Sequence, residues 1–212
     1  NQGLASARNE GLKHAQGDYL TFLDADDELL PHMIEKCVAV ITQYQSDLVI
    51  GQFTLVNSHN QLFNKESGIK RTAFGNKSAE ELIKDIYSFN AASTVWAKLY
   101  RTGIARQLSF PSGLWFEDRP YLLQYVLHST QATLIPDILL RINNRHNSIT
   151  RRIMEERRMS DLQKIFELEM DTVGTGAHST QFRYVVLKHH LHTMLDNLLL
   201  IRRMCQRQAH VA

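Results

Sequence analysis

In "YLTFLDADDELLP", residues 19–31, a short apolar run meets three aspartates and a glutamate. Asp24 and Asp26 stand two apart, so in an extended segment their carboxylates point the same way. Like charges this close repel, and at the end of a buried strand they also lose hydration, so something cationic must compensate them. Two oxygen donors on one side suit a hard divalent ion, Mg2+ or Mn2+, whose other positions go to water or phosphate oxygens. A plainer account competes. Asp26, Asp27 and Glu28 precede a helical pattern, and acids at a helix N-terminus gain about 0.3–1 kcal/mol each. Residue types alone leave the two accounts level.

Other chemistry-bearing groups are scattered along the chain. Glu117 and Asp118 end the loop "SFPSGLWFED" just before a helical pattern; read alone, they are helix N-terminal charges. "RINNRHNSITRR" offers Arg141, Arg145, His146, Arg151 and Arg152, either a solvated basic loop or one that closes over a phosphate-bearing group. Trp96 and Trp115 suit burial or stacking. "KHHLH" brings His189, His190 and His192 together, but on a helix the three do not share one face, which favours a solvated surface over a metal site. Cys37 and Cys205 lack metal-type spacing and read as idle thiols in a reducing compartment. Two rival motifs can be tested by position. A calcium-binding helix-loop-helix would need Gly where Leu29 stands, and fails. A haloacid-dehalogenase-type phosphatase also opens on an apolar strand and Asp-x-Asp, but usually carries Thr or Val where Glu28 stands.

The elements that must position these groups follow from periodicity. Leu4, Ala7, Leu12 and Ala15 mark an opening helix, and "YLTFL" a buried strand. Ile34, Cys37, Val38 and Ile41 give the face of a helix beginning near Pro31. "SDLVIGQFTLVNSHNQLF" reads as two strands about a polar turn, and residues 64–77 as polar loop. Ser78 and Glu81 form a capping-box pattern ahead of Leu82, Ile83 and Ile86. "STVWAKLYR" is a strand, "RPYLLQYVLHST" a helix, and "ATLIPDILLRIN" a strand broken or edged by Pro136. From Ile153 only helices are predicted, over roughly 155–171 and 180–207. Alternating strands and helices followed by helices alone predict an α/β core, residues 1–152, with a helical C-terminal appendage, residues 153–212. On the last helix, Phe182, Val185, Val186, His189, His192 and Leu195 mark a packed face.

The chain of 212 residues is 43% hydrophobic and 22% charged, with a net charge of +2, so no global field argues for nucleic acid. No apolar run approaches the roughly 20 residues of a membrane span. The end, "NLLLIRRMCQRQAHVA", has three arginines and no acid. Three roles stand level for it: contact with anionic lipid, packing on the core, or pairing in a homodimer.

The segments line up with a family. "NQGLASARNEGLKHAQGDYLTFLDADDELLP" closely resembles the middle of family 2 glycosyltransferases, with Asn1, Gly3, Ala7, Arg8, Asn9, Gly17, Asp24, Asp26 and Asp27 at its pattern positions. "VWAKLYRTGI", with Ala97 in place of the usual Asn, "FEDRPYLLQYVL" and "RINNRHNSITR" resemble further segments. The resemblance implies a GT-A fold (Rossmann-like, of the nucleotide-diphospho-sugar transferase kind). It also implies that the chain lacks that core's first βα units, an N-terminal truncation. It implies bacterial, cytoplasmic chemistry at the inner face of the plasma membrane: inverting transfer of a sugar from a nucleotide-sugar donor to a glycan or lipid-linked acceptor, assisted by Mn2+ or Mg2+. Asp26 and Asp24 would hold the metal. Arg8, Asn1, Gly3, Asp24 and Arg145 would bind the donor, with Arg8 near its base or ribose. Asp118 would be the general base and Glu117 its alternate. The alternatives are a non-catalytic remnant acting as an interaction module, and the Asp-x-Asp phosphatase.

Overall fold

The computed structural model describes residues 3–56, 62–143, 155–174 and 179–209. Helix α1 (Leu4–His14) leads to the short strands β1 (Tyr19–Leu20) and β2 (Glu28–Leu29), then to α2 (Met33–Tyr44). Strands β3 (Leu48–Val56), β4 (Leu62–Ser67) and β5 (Gly75–Ser78) precede α3 (Ala79–Tyr87). After β6 (Lys98–Arg101) come the single turn α4 (Thr102–Ala105), α5 (Asp118–Leu127) and β7 (Gln131–Asn143), and the long helices α6 (Glu155–Gly174) and α7 (Ser179–Ala209) close the chain. The sheet runs β1-β6-β3-β7-β2, with β4 beside β3 and β5 beside β7. Its two long strands, β3 and β7, are parallel; the other pairings are antiparallel.

Period-two burial sorts the core into two layers. Leu48 and Ile50 of β3, Tyr100 of β6 and Leu134 of β7 face α1, α3 and α5, whereas Val49, Leu99, Ile135 and Leu139 meet Met33, Cys37 and Ile41 of α2. A bulge bends the long pair. Ile50 is opposite Leu134 but Gln52 is opposite Ile138, so Pro136 lies where its missing N–H leaves no gap in the ladder. Only glycine fits at position 51, since a Cβ there would lie 2.3 Å from the Leu139 side chain. Past the bend, β2 pairs with the far half of β7, bringing the acidic segment to the same end of the sheet as Asn143.

Helices α6 and α7 share this core. Val173, Phe182 and Val186 are buried against α3 and α5 residues. Arg119 of α5 donates from Nε and Nη2 to Glu169 of α6 at 3.1 and 2.7 Å, and the Tyr87 hydroxyl donates to the same carboxylate at 2.9 Å. Among the described residues no helix is long and apolar enough to cross a membrane.

Several expectations need correction. The acids of 26–28 do not open a helix: Glu28 is in β2, and Leu30, Pro31 and His32 intervene before α2. The buried face of α2 is Met33, Cys37 and Ile41, with Ile34 exposed. Residues 64–77 are not simply loop; they contain the end of β4, a 3-10 turn at Arg71–Ala73 and most of β5, a strand whose backbone ladder to β7 forms without apolar side chains to announce it. "YLTFL" and "STVWAKLYR" shrink to Tyr19–Leu20 and Lys98–Arg101, because β1 finds partners only at Arg101 and Tyr100. The histidines are not a solvated face. His189 and His190 are buried, stacked on Phe89 and Phe166, and only His192 is exposed. Leu195, expected on the packed face, is exposed. The capping box forms as expected: Glu81 N–H donates to Ser78 Oγ at 3.3 Å, and Ser78 N–H to Glu81 Oε2 at 2.8 Å.

Candidate active site

Arg8 answers for the charge that follows the apolar run. Its Nη2 donates to Asp24 Oδ1 at 3.0 Å and its Nη1 to Glu117 Oε1 at 2.8 Å and to Asp118 Oδ1. Residues 8, 24, 117 and 118 thus converge from α1, the segment after β1 and the start of α5. The helix α1 holds this arginine in place through its neighbour. Asn9 both accepts from Phe110 N–H at 2.7 Å and donates to Phe110 O at 2.9 Å. The Phe110 ring stacks on Tyr121 of α5 at 3.9 Å and lies under the Arg8 guanidinium at 5.4 Å. Gly3, before α1, takes φ 86°, a left-handed conformation that glycine adopts without strain.

The cluster is graded from closed to open. Side-chain exposure is 8% for Arg8, 9% for Glu117, 17% for Asp118 and 30% for Asp24. Burial opposes the charge on Arg8, but Asp118, Asp24 and Glu117 outweigh it and hold the guanidinium above its ordinary pKa. Burial pushes the Asp118 carboxyl up, against the pull of Arg8 and a 3.1 Å hydrogen bond from Val95 N–H. Burial and the adjacent Asp118 likewise raise Glu117. A carboxylate made more basic while one of its oxygens is fixed by a backbone donor is suited to accept a proton.

Around this centre the acidic segment is clamped by β7. Asn143 N–H donates to Asp27 Oδ1 at 3.1 Å, its side-chain amide donates to Asp26 O at 2.5 Å, and Arg141 pairs with Glu28 at 2.7 Å. The Asp26 carboxylate is exposed and has no protein partner among the described residues. No group of three or more His, Cys, Asp or Glu side chains converges into a cation cage among the described residues. The carboxylates of this segment that face solvent are Asp26, which is exposed, and Asp24, whose side chain is 30% exposed beyond its pairing with Arg8.

Of the residues singled out in the sequence, Arg8, Asp24, Glu117 and Asp118 are brought into contact and Asp26 lies two residues from Asp24. Gly3 sits five residues before Arg8, at the head of the same helix. Asn1 and Arg145 lie outside the described residues, as do His146, Arg151 and Arg152. Lys98 was missed. It is fully buried, its ammonium donates to Thr94 O at 2.6 Å, and burial lowers its pKa to about 7 against the opposing charge of Asp118. Its signal was alternation: in β6, Lys98 must share a side with the core residue Tyr100. Cys37 is buried, and its thiol is pushed up to about 12, in keeping with an idle side chain.

Comparison with known proteins identifies the scaffold. Residues 1–105 match the model of glycosyl transferase family 2. Glycosyltransferase GlyA of Streptococcus pneumoniae is 33% identical over 132 residues, covering 59% of this chain and 19% of GlyA. The uncharacterized glycosyltransferase EpsJ of Bacillus subtilis is 24% identical over 204 residues, covering 93% of this chain and 59% of EpsJ. Among solved structures, S. aureus TarS 1–349 in complex with UDP-GlcNAc superposes with a TM-score of 0.70 at 19% identity, over 90% of this chain and 54% of that one. The chain thus spans between about a fifth and three fifths of the length of these relatives. Residues 1–105 thus carry a domain of glycosyl transferase family 2, on a fold of the GT-A type.

Proposed function

We propose that the whole protein transfers a sugar from a nucleoside-diphosphate-sugar donor to a hydroxyl of a glycan or lipid-linked acceptor, inverting the anomeric carbon. The observation that carries this reading is the convergence on Arg8 of Asp24, from the Asp-x-Asp segment, with Glu117 and Asp118, from a segment more than ninety residues later. The UDP-GlcNAc bound to TarS, a structural neighbour, supports a nucleotide-sugar donor. In this scheme Asp118 takes the proton of the acceptor hydroxyl as its oxygen attacks the anomeric carbon. The bond from that carbon to the diphosphate breaks, and its electron pair leaves with the phosphate oxygen. Arg8 keeps Asp118 and Glu117 oriented and ionised. Asp26, with Asp24, is the pair that would hold Mn2+ or Mg2+, which when bound would offset charge on the departing diphosphate.

The test is transfer and donor hydrolysis across UDP-, GDP- and CDP-sugars with Mn2+, using the whole gene product. Loss of both activities in Asp118→Asn and in Asp26→Ala supports these roles; wild-type rates in either refute that residue's role.

The exposed side of α7 supports the lipid-facing role among those open to the C-terminal end. Tyr184, Leu187, Leu191, Leu195 and Leu198 are exposed at helical spacing, and Arg202, Arg203 and Arg207 follow in sequence. This is the pattern of a helix lying in an anionic membrane surface, and it would place the enzyme peripherally at the cytoplasmic face of the membrane. Co-sedimentation with phosphatidylglycerol vesicles but not with phosphatidylcholine vesicles is the expected result. Concentration-dependent dimerisation without lipid binding would assign the same face to a second copy of the chain.

A further inference from the structure

The segment 94–97 bends into β6, and each of its carbonyls meets a donor. The Lys98 ammonium donates to Thr94 O at 2.6 Å and lies 3.5 Å from Trp96 O. The Tyr100 hydroxyl donates to Val95 O at 2.8 Å, and Gly51 N–H of β3 donates to Ala97 O at 3.0 Å. Alternation explains the side-chain contacts. Lys98 and Tyr100 stand two apart in β6, so they point to one side of the sheet, the side onto which the bend folds back. With its carbonyls held, the bend presents Val95 N–H to Asp118 Oδ2 at 3.1 Å.

This grip exceeds what packing requires. Lys98 and Tyr100 are 1% and 0% exposed. Burial disfavours an ammonium and lowers the pKa of Lys98 to about 7. An apolar side chain of similar length would fill the same space without desolvating a charge. Ala97, at the end of the bend, takes φ 57°, a left-handed conformation unfavourable for a residue with a Cβ. A polar group buried at a cost beside a strained residue holds a conformation that the chain would not keep by itself. What that conformation delivers is the Val95 N–H. Asp118 is thereby held at both oxygens, Oδ1 by Arg8 and Oδ2 by Val95. Two fixed donors set the plane of the carboxylate and leave a further lone pair on each oxygen.

We infer that Lys98 and Tyr100 are positioning residues for Asp118: by clamping the 94–97 bend they aim the Val95 N–H at Oδ2 and so set the direction from which the carboxylate takes a proton. Both are too buried to meet a substrate themselves. The inference rests on the proposed transfer for the role of Asp118 as base, and on the hydrogen bonds alone for its orientation. Arg8 sets the charge around Asp118, and the bend sets its angle.

The test uses the whole gene product with isotopically labelled valine, so that the Val95 amide and the kinetics are read on one protein. Tyr100→Phe deletes a hydroxyl and keeps the ring against Phe22 and Tyr125. Lys98→Met deletes the ammonium and keeps an apolar stem. In both, the Val95 amide proton resonance should move toward its position in Asp118→Ala. At the same time kcat should fall about ten- to a hundredfold, with the donor KM unchanged. Tyr125→Phe is the control. It also loses a buried hydroxyl, but one bonded to Asp47 O and Arg101 N–H, and both readouts should stay at wild type. An unmoved Val95 amide in Tyr100→Phe, which should fold, overturns the inference. So does an unchanged kcat where the amide has moved, or an equal fall in Tyr125→Phe. A wild-type protein that neither transfers nor hydrolyses a donor would remove the proposed function instead, and the valine spectrum would still decide whether Lys98 and Tyr100 orient Asp118.

Discussion

Two buried arginines, Arg8 and Arg119, organise neighbouring clusters that obey different charge rules. Arg8 faces three carboxylates, so its cluster is short of positive charge and opens to solvent at Asp24. Arg119 faces one carboxylate, Glu169, which is fully buried and receives a further hydrogen bond from Tyr87. A single turn of chain separates them: Glu117 and Asp118 turn toward Arg8, and Arg119 turns toward α6. The matched pair holds the C-terminal helices to the core. The unmatched one leaves basic carboxylates beside an opening, which is what proton abstraction and cation binding require. In the proposed scheme the same residue types serve attachment in one place and chemistry in the other, and the ratio of charges separates them.

The largest expected effect tests the chemical side. Asp118→Asn keeps the size of the side chain but removes the proton acceptor, and kcat should fall by about 10²- to 10⁴-fold, with a melting temperature close to wild type. Next comes the structural side. Arg119→Met strands the buried Glu169 carboxylate, and removing one partner of a buried pair costs about 3–5 kcal/mol. Urea unfolding should show that loss. If Arg119→Met instead left stability intact while abolishing transfer, the division between the two clusters would be wrong.

The third prediction tests whether Arg8 tunes Asp118. Burial already raises the Asp118 carboxyl above its usual 3.8, so the rising limb of kcat/KM against pH should lie above the range of an ordinary aspartate. Arg8 opposes that rise. In Arg8→Met the opposition is lost, and the limb should move further toward alkaline pH, since an opposite charge no longer favours the ionised carboxylate. An unmoved limb would mean that another group is the base.

Much of this architecture was legible because local patterns carried it. The α1 helix, the capping box at Ser78 and, to within a few residues, the boundaries of α6 and α7 each rest on residues within a few positions of one another, whereas Pro136, expected to break or edge its strand, lies in a continuous interior strand that accommodates it at a bulge. The acids Asp24, Asp26 and Asp27 stood out because they lie within four positions, although their residue types alone left helix-terminal charge and metal chemistry level. Their principal counter-charge was not legible from spacing, because Arg8 reaches Asp118 across 110 residues and the contact exists only once α5 packs on α1. Lys98, His189 and His190 were misjudged or missed for a related reason. A polar side chain in a helix or strand shows its type in sequence, but whether a later helix covers it is a tertiary fact. β5 left no mark because "GNKS" pairs entirely through its backbone.

The smallest expected effect extends the comparison to acid stability, through His189. This ring packs between Tyr87 and Phe89 beside the Arg119 cluster, and its Nδ1–H donates to Tyr87 O at 3.0 Å. Burial, with help from the positive charge of Arg119, lowers its pKa from 6.5 to about 4. The unfolded chain therefore binds this proton more readily than the folded one. Its contribution to stability is complete above pH 6.5 and is lost as the pH falls from 6.5 toward 4. Glu169 acts in the opposite sense: burial raises its pKa, so acidification relieves the cost of its buried charge. Subtracting the pH dependence of a His189→Phe variant from that of the wild type isolates the histidine. The variant should lose less stability across that window, though it starts lower for want of the Tyr87 hydrogen bond. Parallel curves would show that His189 titrates normally, and hence that α7 stands away from the Arg119 cluster in solution instead of sealing it.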